Sequence, residues 1–270
     1  MCAKNQQTVR FAAIQFSPSR EKTKNVEKAA GLIRRCVRVN SPDVVALPEL
    51  FSTPFFPFYL NKAYFKLAEE IPSGPTTRAI SALARELGVF IIAPIFERSG
   101  ERYYDSSPVI SPSGEVIGTY RKSSIPETVW NDENVVNHEK YYFSPGDGLK
   151  VFDLGKCRLG QLICYDRHFP EAWATLRKMG AQIVYVPNAS TGRAISEMFV
   201  LESRAMSAIN GVYSIVSNRA GVEGGFPFFG GTTVVDPRGK VLSGPARGIN
   251  KVVVSDLRLH NSRKSTTGRK

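Results

Sequence analysis

The stretch that decides the fold is Arg158-Leu-Gly-Gln-Leu-Ile-Cys164-Tyr-Asp-Arg167-His-Phe-Pro-Glu171. Its apolar, alternating first half predicts a β-strand that ends at Cys164, and Pro170-Glu171 opens an amphipathic segment that predicts a helix. This geometry places the thiol at a strand end, beside backbone N–H groups that lower a cysteine pKa. Cys164 is therefore either a reactive nucleophile or a small buried hydrophobe that closes a strand.

The same order of elements occurs twice along the chain. Each half alternates three strands with two helices and ends in a hairpin with a Pro-x-Gly turn. The predicted strands are 9–16, 43–49, 89–96, 159–164, 182–186 and 212–217, the helices about 26–37, 77–87, 170–179 and 198–209, and the hairpins 103–120 and 231–242. We therefore predict an α/β fold, a four-layer αββα sandwich with two pseudo-repeated halves.

Length and composition fit one globular domain over residues 1–270. The chain is 42% hydrophobic, no apolar run approaches the roughly 20 residues of a spanning helix, and the N-terminus lacks the apolar centre of a signal peptide. The four cysteines have no C-x-x-C spacing, so neither a zinc site nor a disulfide framework is suggested. We expect a cytoplasmic protein that does not bind membranes.

The formal charge of +12 raises the question of nucleic-acid binding. Part of the charge lies in a basic tail, 258–270, which could be flexible, and the rest is spread along predicted helix faces, as at Arg34, Arg35 and Arg38. No recognised nucleic-acid motif is present. We expect a solvated basic surface with no specific nucleic-acid partner, and weak binding to polyanions is the alternative.

Residues 123–148 interrupt the regular pattern and predict a long loop with one short helical piece. Loops of this length in a compact domain are usually functional or disordered, and the aromatic residues here argue against disorder. Glu139 lies in this loop, while Glu49, Lys122 and Cys164 lie at the ends of predicted strands. Each has a structural alternative: a helix-start carboxylate, a surface lysine, a solvated acid or a core cysteine. Their joint placement favours one shared cleft.

Four segments, in this order, resemble motifs of the carbon–nitrogen hydrolase (nitrilase) superfamily. They are Leu47-Pro-Glu49-Leu-Phe51, Tyr120-Arg-Lys122-Ser-Ser-Ile-Pro126, Glu139-Lys-Tyr-Tyr-Phe-Ser-Pro-Gly146-Asp147 and Ile163-Cys164-Tyr-Asp-Arg167-His-Phe-Pro-Glu171. The resemblance runs from residue 9 to about residue 256 and includes Asn218-Arg219 after a late strand. It implies the αββα fold already predicted from element order.

The resemblance also implies roles for the four polar residues. Cys164 resembles the nucleophile, Glu49 the general base, Lys122 the stabiliser of the oxyanion, and Glu139 a second, structural or proton-relaying acid. A thiol deprotonated by a nearby base is a better nucleophile than water, and a fixed cation stabilises the developing oxyanion. Such an enzyme hydrolyses non-peptide C–N bonds through a thioester and needs neither metal nor organic cofactor. A Cys164–His168 pair is the competing local scheme.

The residues after the nucleophile bear on the substrate, which we expect to be a small molecule. Arg167, with His138 before Glu139, resembles the branch that hydrolyses N-carbamoyl amino acids, and Arg167 could hold a substrate carboxylate. Tyr165 and Asn188 are further candidate binding residues. Arg167 could instead form a structural ion pair with Glu171 or Asp166. An N-carbamoylputrescine-type amidase, or an amidase or nitrilase for uncharged substrates, is the alternative.

Some features depart from the family pattern. Asp105 stands where relatives more often carry Asn, and the segment 188–196 does not match the carbamoyl-amino-acid pattern. Aromatic residues could shape an apolar pocket, or pack a loop core or a dimer interface; they are Phe55, Phe56, Phe58, Tyr59, Phe226, Phe228 and Phe229. A catalytically idle binding protein would show a broken catalytic set, whereas all four residues are present. The resemblance suggests a homodimer or higher homo-oligomer.

Overall fold

The structure is a computed structural model that describes residues 6–126 and 137–260. The strands are β1 Gln6–Gln15, β2 Val44–Ala46, β3 Phe90–Ile92, β4 Ile95–Ser99, β5 Arg102–Ile110, β6 Val116–Arg121, β7 Val151–Asp153, β8 Arg158–Gln161, β9 Ile183–Asn188, β10 Tyr213–Asn218, β11 Ala220–Glu223, β12 Phe226–Phe229, β13 Thr233–Val235, β14 Val241–Ser243 and β15 Lys251–His260. The α-helices are α1 Lys22–Asn40, α2 Pro75–Leu87, α3 Glu139–Tyr142, α4 Pro170–Lys178 and α5 Arg193–Asn210.

Most of these strands form two sheets, one for each half of the chain. The first has the order β15-β1-β2-β3-β5-β4 with β6 paired to β5, and the second has the order β14-β13-β10-β9-β8-β7. The strands β1, β2 and β3 run parallel, as do β8, β9 and β10. Because parallel strands end at the same edge, the loops after them gather at one edge of each sheet.

Three apolar cores separate four layers. Phe11, Ile92, Leu159 and Ile215 belong to the core between the two sheets. The outer face of the first sheet packs against α1 and α2, with Ile33 and Ile80 in that core. The outer face of the second sheet packs against α4 and α5 around residues such as Trp173 and Phe199. The predicted αββα sandwich with two similar halves is confirmed.

The helix boundaries follow the sequence signals. Helix α2 begins at Pro75 and ends before Gly88, which has a left-handed backbone (φ +65°) that a glycine adopts without strain. Cys36 is buried under the first sheet, as its helical spacing predicts. Both predicted hairpins are present, as β5–β6 and β13–β14.

Several predicted boundaries are wrong. The run 89–96 is two strands, β3 and β4, because Ala93 and Pro94 interrupt it and proline cannot donate to a strand ladder. The strand before Cys164 stops at Gln161. The start of the predicted tail is strand, since Arg258 pairs with Thr8 across β15 and β1, while 261–270 lie outside the described residues.

The predicted loop 123–148 contains the short helix α3, and its residues 127–136 lie outside the described part. No helix within the described ranges is both long enough and apolar enough to cross a membrane.

Candidate active site

Cys164 lies in a sharp turn between β8 and α4. It begins a 3₁₀ turn, Cys164–His168, and has a left-handed backbone (φ +46°), which is unfavourable for a residue other than glycine. Cys164 is half-buried and lines a cavity. Its Sγ lies 3.7 Å from Ser190 Oγ, a residue that follows the neighbouring strand β9. The turn therefore presents the thiol to the cavity in a conformation that its surroundings must maintain.

The buried carboxylate of Asp166 maintains this turn. Its Oδ2 accepts hydrogen bonds from the Ile163 N–H at 3.0 Å and from the Tyr120 hydroxyl at 2.7 Å. Its Oδ1 accepts from the Ser124 N–H at 2.7 Å. Tyr120 and Ser124 flank Lys122, so one carboxylate fixes the cysteine turn relative to the end of β6.

Lys122 is the centre of a buried charged cluster formed with Glu49, Asp105 and Glu139. Its Nζ lies 3.0 Å from Glu49 Oε1, 2.5 Å from Glu139 Oε2 and 3.8 Å from Asp105 Oδ2. The exposed fraction of these four residues is between 0 and 2%. They come from four separate parts of the first half and the central loop, so only the assembled fold brings them together.

Backbone and side-chain contacts fix the two acids on either side of Lys122. The turn after β2, in which Leu50 has φ +49°, is held by Arg219, whose Nε donates to Glu49 O at 3.0 Å. Glu139 begins α3, and Asn137 Nδ2 donates to its Oε1 at 2.8 Å. Asn137 Oδ1 in turn accepts from the Glu139 N–H at 3.0 Å.

The electrostatics of this cluster keep Lys122 charged and Glu49 ionised. Burial lowers the pKa of Lys122, but the carboxylates of Glu139 and Glu49 outweigh it and hold the pKa well above its ordinary value. Burial raises the pKa of Glu49, but the Lys122 cation and the neighbouring Asp105 carboxyl group outweigh it, so the net pKa is lowered. An ionised carboxylate is the form that can accept a proton.

The thiol behaves differently from the sequence-based expectation. Burial, and then the negative charge of Glu49, raise the pKa of Cys164 to about 12, against the smaller opposing effects of Lys122 and Arg167. The expectation that N–H groups of the turn lower this pKa is therefore wrong, because desolvation and a nearby carboxylate dominate. Cys164 is a neutral thiol at neutral pH and needs a base at the moment of attack.

The cavity beside the thiol has a volume of about 690 Å³. Cys164 and Glu139 line it, together with several apolar residues of α5: Ile195, Met198, Leu201, Ala205 and Met206. Phe55 and Phe58 also contact it, whereas Phe56 and Phe228 lie in a buried aromatic cluster under the loops. The predicted aromatic residues thus divide between the pocket and a loop core.

Arg167 lines the same cavity but is already engaged by the protein. Its Nε donates to Glu202 Oε2 at 3.0 Å, and its Nη1 donates to Cys164 O and to Asn188 Oδ1, each at 3.0 Å. The ion-pair partner is therefore Glu202 on α5, neither Glu171 nor Asp166 as considered from the sequence. Nη1 also lies 3.9 Å from Cys164 Sγ.

His168 is bound to the same glutamate. Its Nδ1 lies 2.7 Å from Glu202 Oε1, and its side chain is 33% exposed. We call Arg167, Glu202 and His168 the wall network. The Nδ1 atom of His168 is thus committed to Glu202, which disfavours the Cys164–His168 scheme.

The other residues predicted to bind substrate do not all line the cavity. Tyr165 lines the cavity, as expected. Asn188 is fully buried, and its amide donates to Val186 O and Ser217 O while its oxygen accepts from Arg167, so it supports Arg167 and does not face the cavity. His138 precedes α3, whereas the cavity is lined by the residues on either side of it, Asn137 and Glu139.

The three acids of the charged cluster also form the kind of group that can bind a metal ion, since their oxygens lie within 4.8 Å of one another. The Lys122 ammonium, however, already lies among these oxygens and supplies the positive charge. The donor set therefore fits a lysine-centred cluster and gives no reason to expect a metal.

Four contributing residues were missed from the sequence: Asn137, Ser190, Glu202 and Arg219 as a support of Glu49. Glu202 lies in the middle of an amphipathic helix, where a glutamate is ordinary, so no local signal marks it. Asn218-Arg219 did stand out as a motif, and its role appears only here. Asn218 binds both Ser190 N and Ser190 O, while Arg219 holds the Glu49 turn.

Comparison with known proteins gives concordant results. A family model described as carbon-nitrogen hydrolase matches residues 10–265. A protein named nitrilase from Pyrococcus abyssi is 34% identical, covering 93% of this chain and 90% of its own. An N-carbamoylputrescine amidase from Solanum lycopersicum is 29% identical, covering 95% of this chain and 88% of its own. A crystal structure of a carbon-nitrogen hydrolase from Helicobacter pylori G27 superimposes with a TM-score of 0.84 at 27% identity, covering 93% of this chain and 89% of its own.

The family match covers most of the chain, and the relatives it resembles include enzymes named for amide hydrolysis. The chain belongs to the carbon–nitrogen hydrolase family, and it is a hydrolase of amide-type C–N bonds.

Proposed function

We propose that this enzyme cleaves a terminal carbamoyl or carboxamide group by transferring the acyl carbon to Cys164. The observation that carries the proposal is the position of Lys122 between the carboxylates of Glu49 and Glu139, 3.0 and 2.5 Å away, beside a cavity that contacts the thiol. A buried cation held by two acids is preorganised to stabilise negative charge that develops next to it.

The first step is attack of the thiol on the substrate carbonyl. Glu49 accepts the Sγ proton as the S–C bond forms, and the carbonyl electron pair moves to the oxygen, where Lys122 stabilises it. The tetrahedral intermediate then expels the amine or ammonia, which takes the proton from Glu49. The product of this half-reaction is a thioester on Cys164.

The second step is hydrolysis of that thioester. Glu49, ionised again, removes a proton from water as the water oxygen attacks the thioester carbon. The C–S bond then breaks, Sγ takes that proton back from Glu49, and a carboxylic acid is released. From a carbamoyl thioester the released acid is carbamic acid, which decomposes to carbon dioxide and ammonia. Glu139 keeps Lys122 in place throughout, through the contact at 2.5 Å.

Among the substrate classes considered, the cavity favours one without a carboxylate near the reacting carbon. Of the lining residues that the structure describes, the basic ones are Arg167 and His168, and both are bound to Glu202. A substrate carboxylate at Arg167 would lie beside that glutamate. Most of the remaining wall is apolar, which suits an amide or carbamoyl compound with an apolar body.

The second candidate is the N-carbamoyl amino acid predicted from the sequence, which would be cleaved to the amino acid, ammonia and carbon dioxide. The observation that favours it is that Arg167 Nη1 lies only 3.9 Å from the Cys164 Sγ, at the reacting end of the cavity. A carboxylate adjacent to a carbamoyl group could reach the guanidinium from there.

A trapping experiment tests the acyl transfer. We expect hydroxylamine to divert the acyl group to a hydroxamate, and rapid quenching to give a protein mass increased by the acyl group on the peptide that contains Cys164. Cys164→Ala should release no ammonia above background, whereas Cys36→Ala, at a buried core cysteine, serves as a matched control. Ammonia release by Cys164→Ala at the wild-type rate would contradict the proposal.

A substrate series tests the class. Wild type and Arg167→Gln are assayed on N-carbamoyl amino acids and on uncharged amides of matched size. We expect higher kcat/KM on the uncharged amides. If N-carbamoyl amino acids are preferred, and Arg167→Gln removes that preference alone, the second candidate replaces the first.

We also propose self-association, in line with the expectation from the sequence. Helix α5 exposes Met198, Leu201 and Ile209, which are apolar side chains on a surface helix. Analytical ultracentrifugation of wild type and Ile209→Lys tests this. Identical monomeric behaviour of the two proteins would contradict it.

A further inference from the structure

The buried charged cluster contains carboxylate oxygens that lack a donor. Asp105 in β5 is fully buried, and its oxygens lie within 4.8 Å of those of Glu49 and Glu139. Among the described residues, no N–H or O–H donor reaches Asp105 Oδ1, Asp105 Oδ2 or Glu49 Oε2. The closest approach of the lysine is 3.8 Å, from Lys122 Nζ to Asp105 Oδ2, which is too long for a hydrogen bond.

Two facing carboxylates cannot satisfy each other, because an ionised carboxylate only accepts hydrogen bonds. A protonated carboxyl group has one O–H donor, so a single proton between the two groups satisfies one oxygen on each of them. The charge balance agrees with this arrangement. Three ionised acids around the one cation of Lys122 would leave two uncompensated negative charges on buried side chains. Burying unpaired charge is energetically unfavourable.

We propose that Asp105 is held as the neutral acid and donates its hydroxyl hydrogen to Glu49 Oε2, as a positioning residue for the general base. Glu49 is then held at both oxygens, by Lys122 on Oε1 and by Asp105 on Oε2. Each oxygen keeps a second lone pair for the thiol proton. The inference rests on Glu49 acting as the base, as proposed above.

Three charged groups face Asp105: Glu49 after β2, Lys122 after β6 and Glu139 on α3. The two carboxylates favour the neutral form of Asp105, and the Lys122 cation opposes it. Burial and then the charge of Glu49 raise the pKa of Asp105 well above its ordinary value, and Lys122 opposes this only in part. The same contact acts on Glu49 in the opposite direction, since the hydrogen bond from Asp105 lowers the pKa of Glu49.

This arrangement predicts a defined pH dependence. Because the pKa of Asp105 is raised in the folded protein, the donor is present below that pKa and is lost as the pH rises through it. Ionised Asp105 would then repel Glu49 in place of orienting it. We therefore expect kcat of the wild type to fall on the alkaline side as Asp105 loses its proton.

A neutral amide at position 105 would preserve this hydrogen bond without titrating. An Asn side chain donates an N–H where Asp105 donates an O–H, and it does so at every pH. The two side chains are nearly the same size, so replacing one by the other leaves the packing unchanged and removes only the titration.

Three variants test the role. Asp105→Asn should be about 10- to 100-fold more active than Asp105→Ala, since a hydrogen bond to a charged group is worth about that factor. The alkaline limb of kcat should move to higher pH in Asp105→Asn, with KM little changed in both. Asp153→Asn, at an exposed aspartate of β7, is the matched control and should behave like wild type.

A spectroscopic measurement makes the inference independent of the catalytic scheme. The infrared difference spectrum of wild type minus Asp105→Asn should contain the carbonyl stretch of a protonated carboxylic acid, and that band should disappear with rising pH. An absent band, or an alkaline limb that is identical in wild type and Asp105→Asn, would overturn the inference. If the band is present but no acyl-enzyme forms on Cys164, the proposed function fails while the protonation of Asp105 stands.

Discussion

Two charged groups of residues flank the Cys164 thiol, and they differ in their contact with water. The cluster around Lys122 is sealed, with exposed fractions of 0 to 2%, and its members come from β5, from α3 and from the segments after β2 and β6. The wall network is open toward the cavity, with side-chain exposure rising from 2% at Arg167 to 11% at Glu202 and 33% at His168. In the proposed mechanism, the sealed cluster activates the thiol and stabilises charge at the reacting carbonyl group. The wall network contacts the other parts of the substrate.

The difference follows from what each function requires. A cation that stabilises a transition state by several kcal/mol must be shielded from water and held in one position, because solvent and side-chain motion weaken its electrostatic effect. A substrate-contacting network must face the cavity, where solvent screens its charges. We therefore expect the loss of a charged side chain to change activity and stability far more in the sealed cluster than in the wall network.

The largest effect should come from breaking the sealed cluster at its centre. Lys122→Met leaves two buried carboxylates without their cation, so we expect kcat to fall by about 10³-fold or more and stability by about 3–5 kcal/mol. The measurements are steady-state kinetics and urea unfolding. Lys150→Met, which removes a lysine paired with Asp147 at the surface, should change stability by less than about 1 kcal/mol. Comparable losses in both variants would contradict the distinction.

A second effect distinguishes the pKa of the Cys164 thiol from the catalytic activity of the enzyme. Glu49→Gln should lower kcat by about 10²- to 10⁴-fold by removing the base. It should also lower the pKa of Cys164 below about 12, because the negative charge of Glu49 is one of the causes that raise it. The ultraviolet absorbance of the thiolate as a function of pH measures this, with the titration of the matching Cys164→Ser protein subtracted to remove the other three cysteines. An enzyme with more thiolate and less activity would show that attack depends on general-base catalysis.

Most of the fold could be predicted from the amino-acid sequence. Apolar runs of strand length, helices with Pro at the start and Gly at the end, and two Pro-x-Gly hairpins predicted the layers and the repeat. The sheets and cores confirm them. Boundaries failed where a tertiary partner decides them. The strand β15 is the clearest case. Its basic residues indicate a solvated tail, but it pairs with β1, and the paired residues are 236 to 254 positions apart in sequence.

A third effect concerns substrate recognition by the wall network. Glu202→Gln frees the guanidinium of Arg167 from its ion partner, so the KM for N-carbamoyl amino acids should fall by about 3- to 10-fold. The kinetics of uncharged amides should change little, since the sealed cluster is untouched. Equal changes in KM for both substrate classes would show that Glu202 supports the turn at Cys164 and does not affect the choice of substrate.

The smallest effect should come from His168. Its side chain is the most exposed of the wall network, and exposed ion pairs contribute little, so His168→Asn should change kcat/KM by less than about 3-fold. Formation of the acyl-enzyme should be retained. Loss of acyl-enzyme in His168→Asn, together with its retention in Glu49→Gln, would establish the Cys164–His168 scheme instead.

The amino-acid sequence by itself determined the order of elements, the αββα architecture and the residues at which strands end, because propensity, periodicity and turn chemistry act over short distances. It also marked Glu49, Lys122, Glu139 and Cys164 as candidates. Only the tertiary structure decided what each side chain faces. It buried Asp105 against Glu49, bound Arg167 to Glu202 and raised the pKa of Cys164. Burial and charge proximity depend on residues far apart in the chain, and these set protonation and recognition.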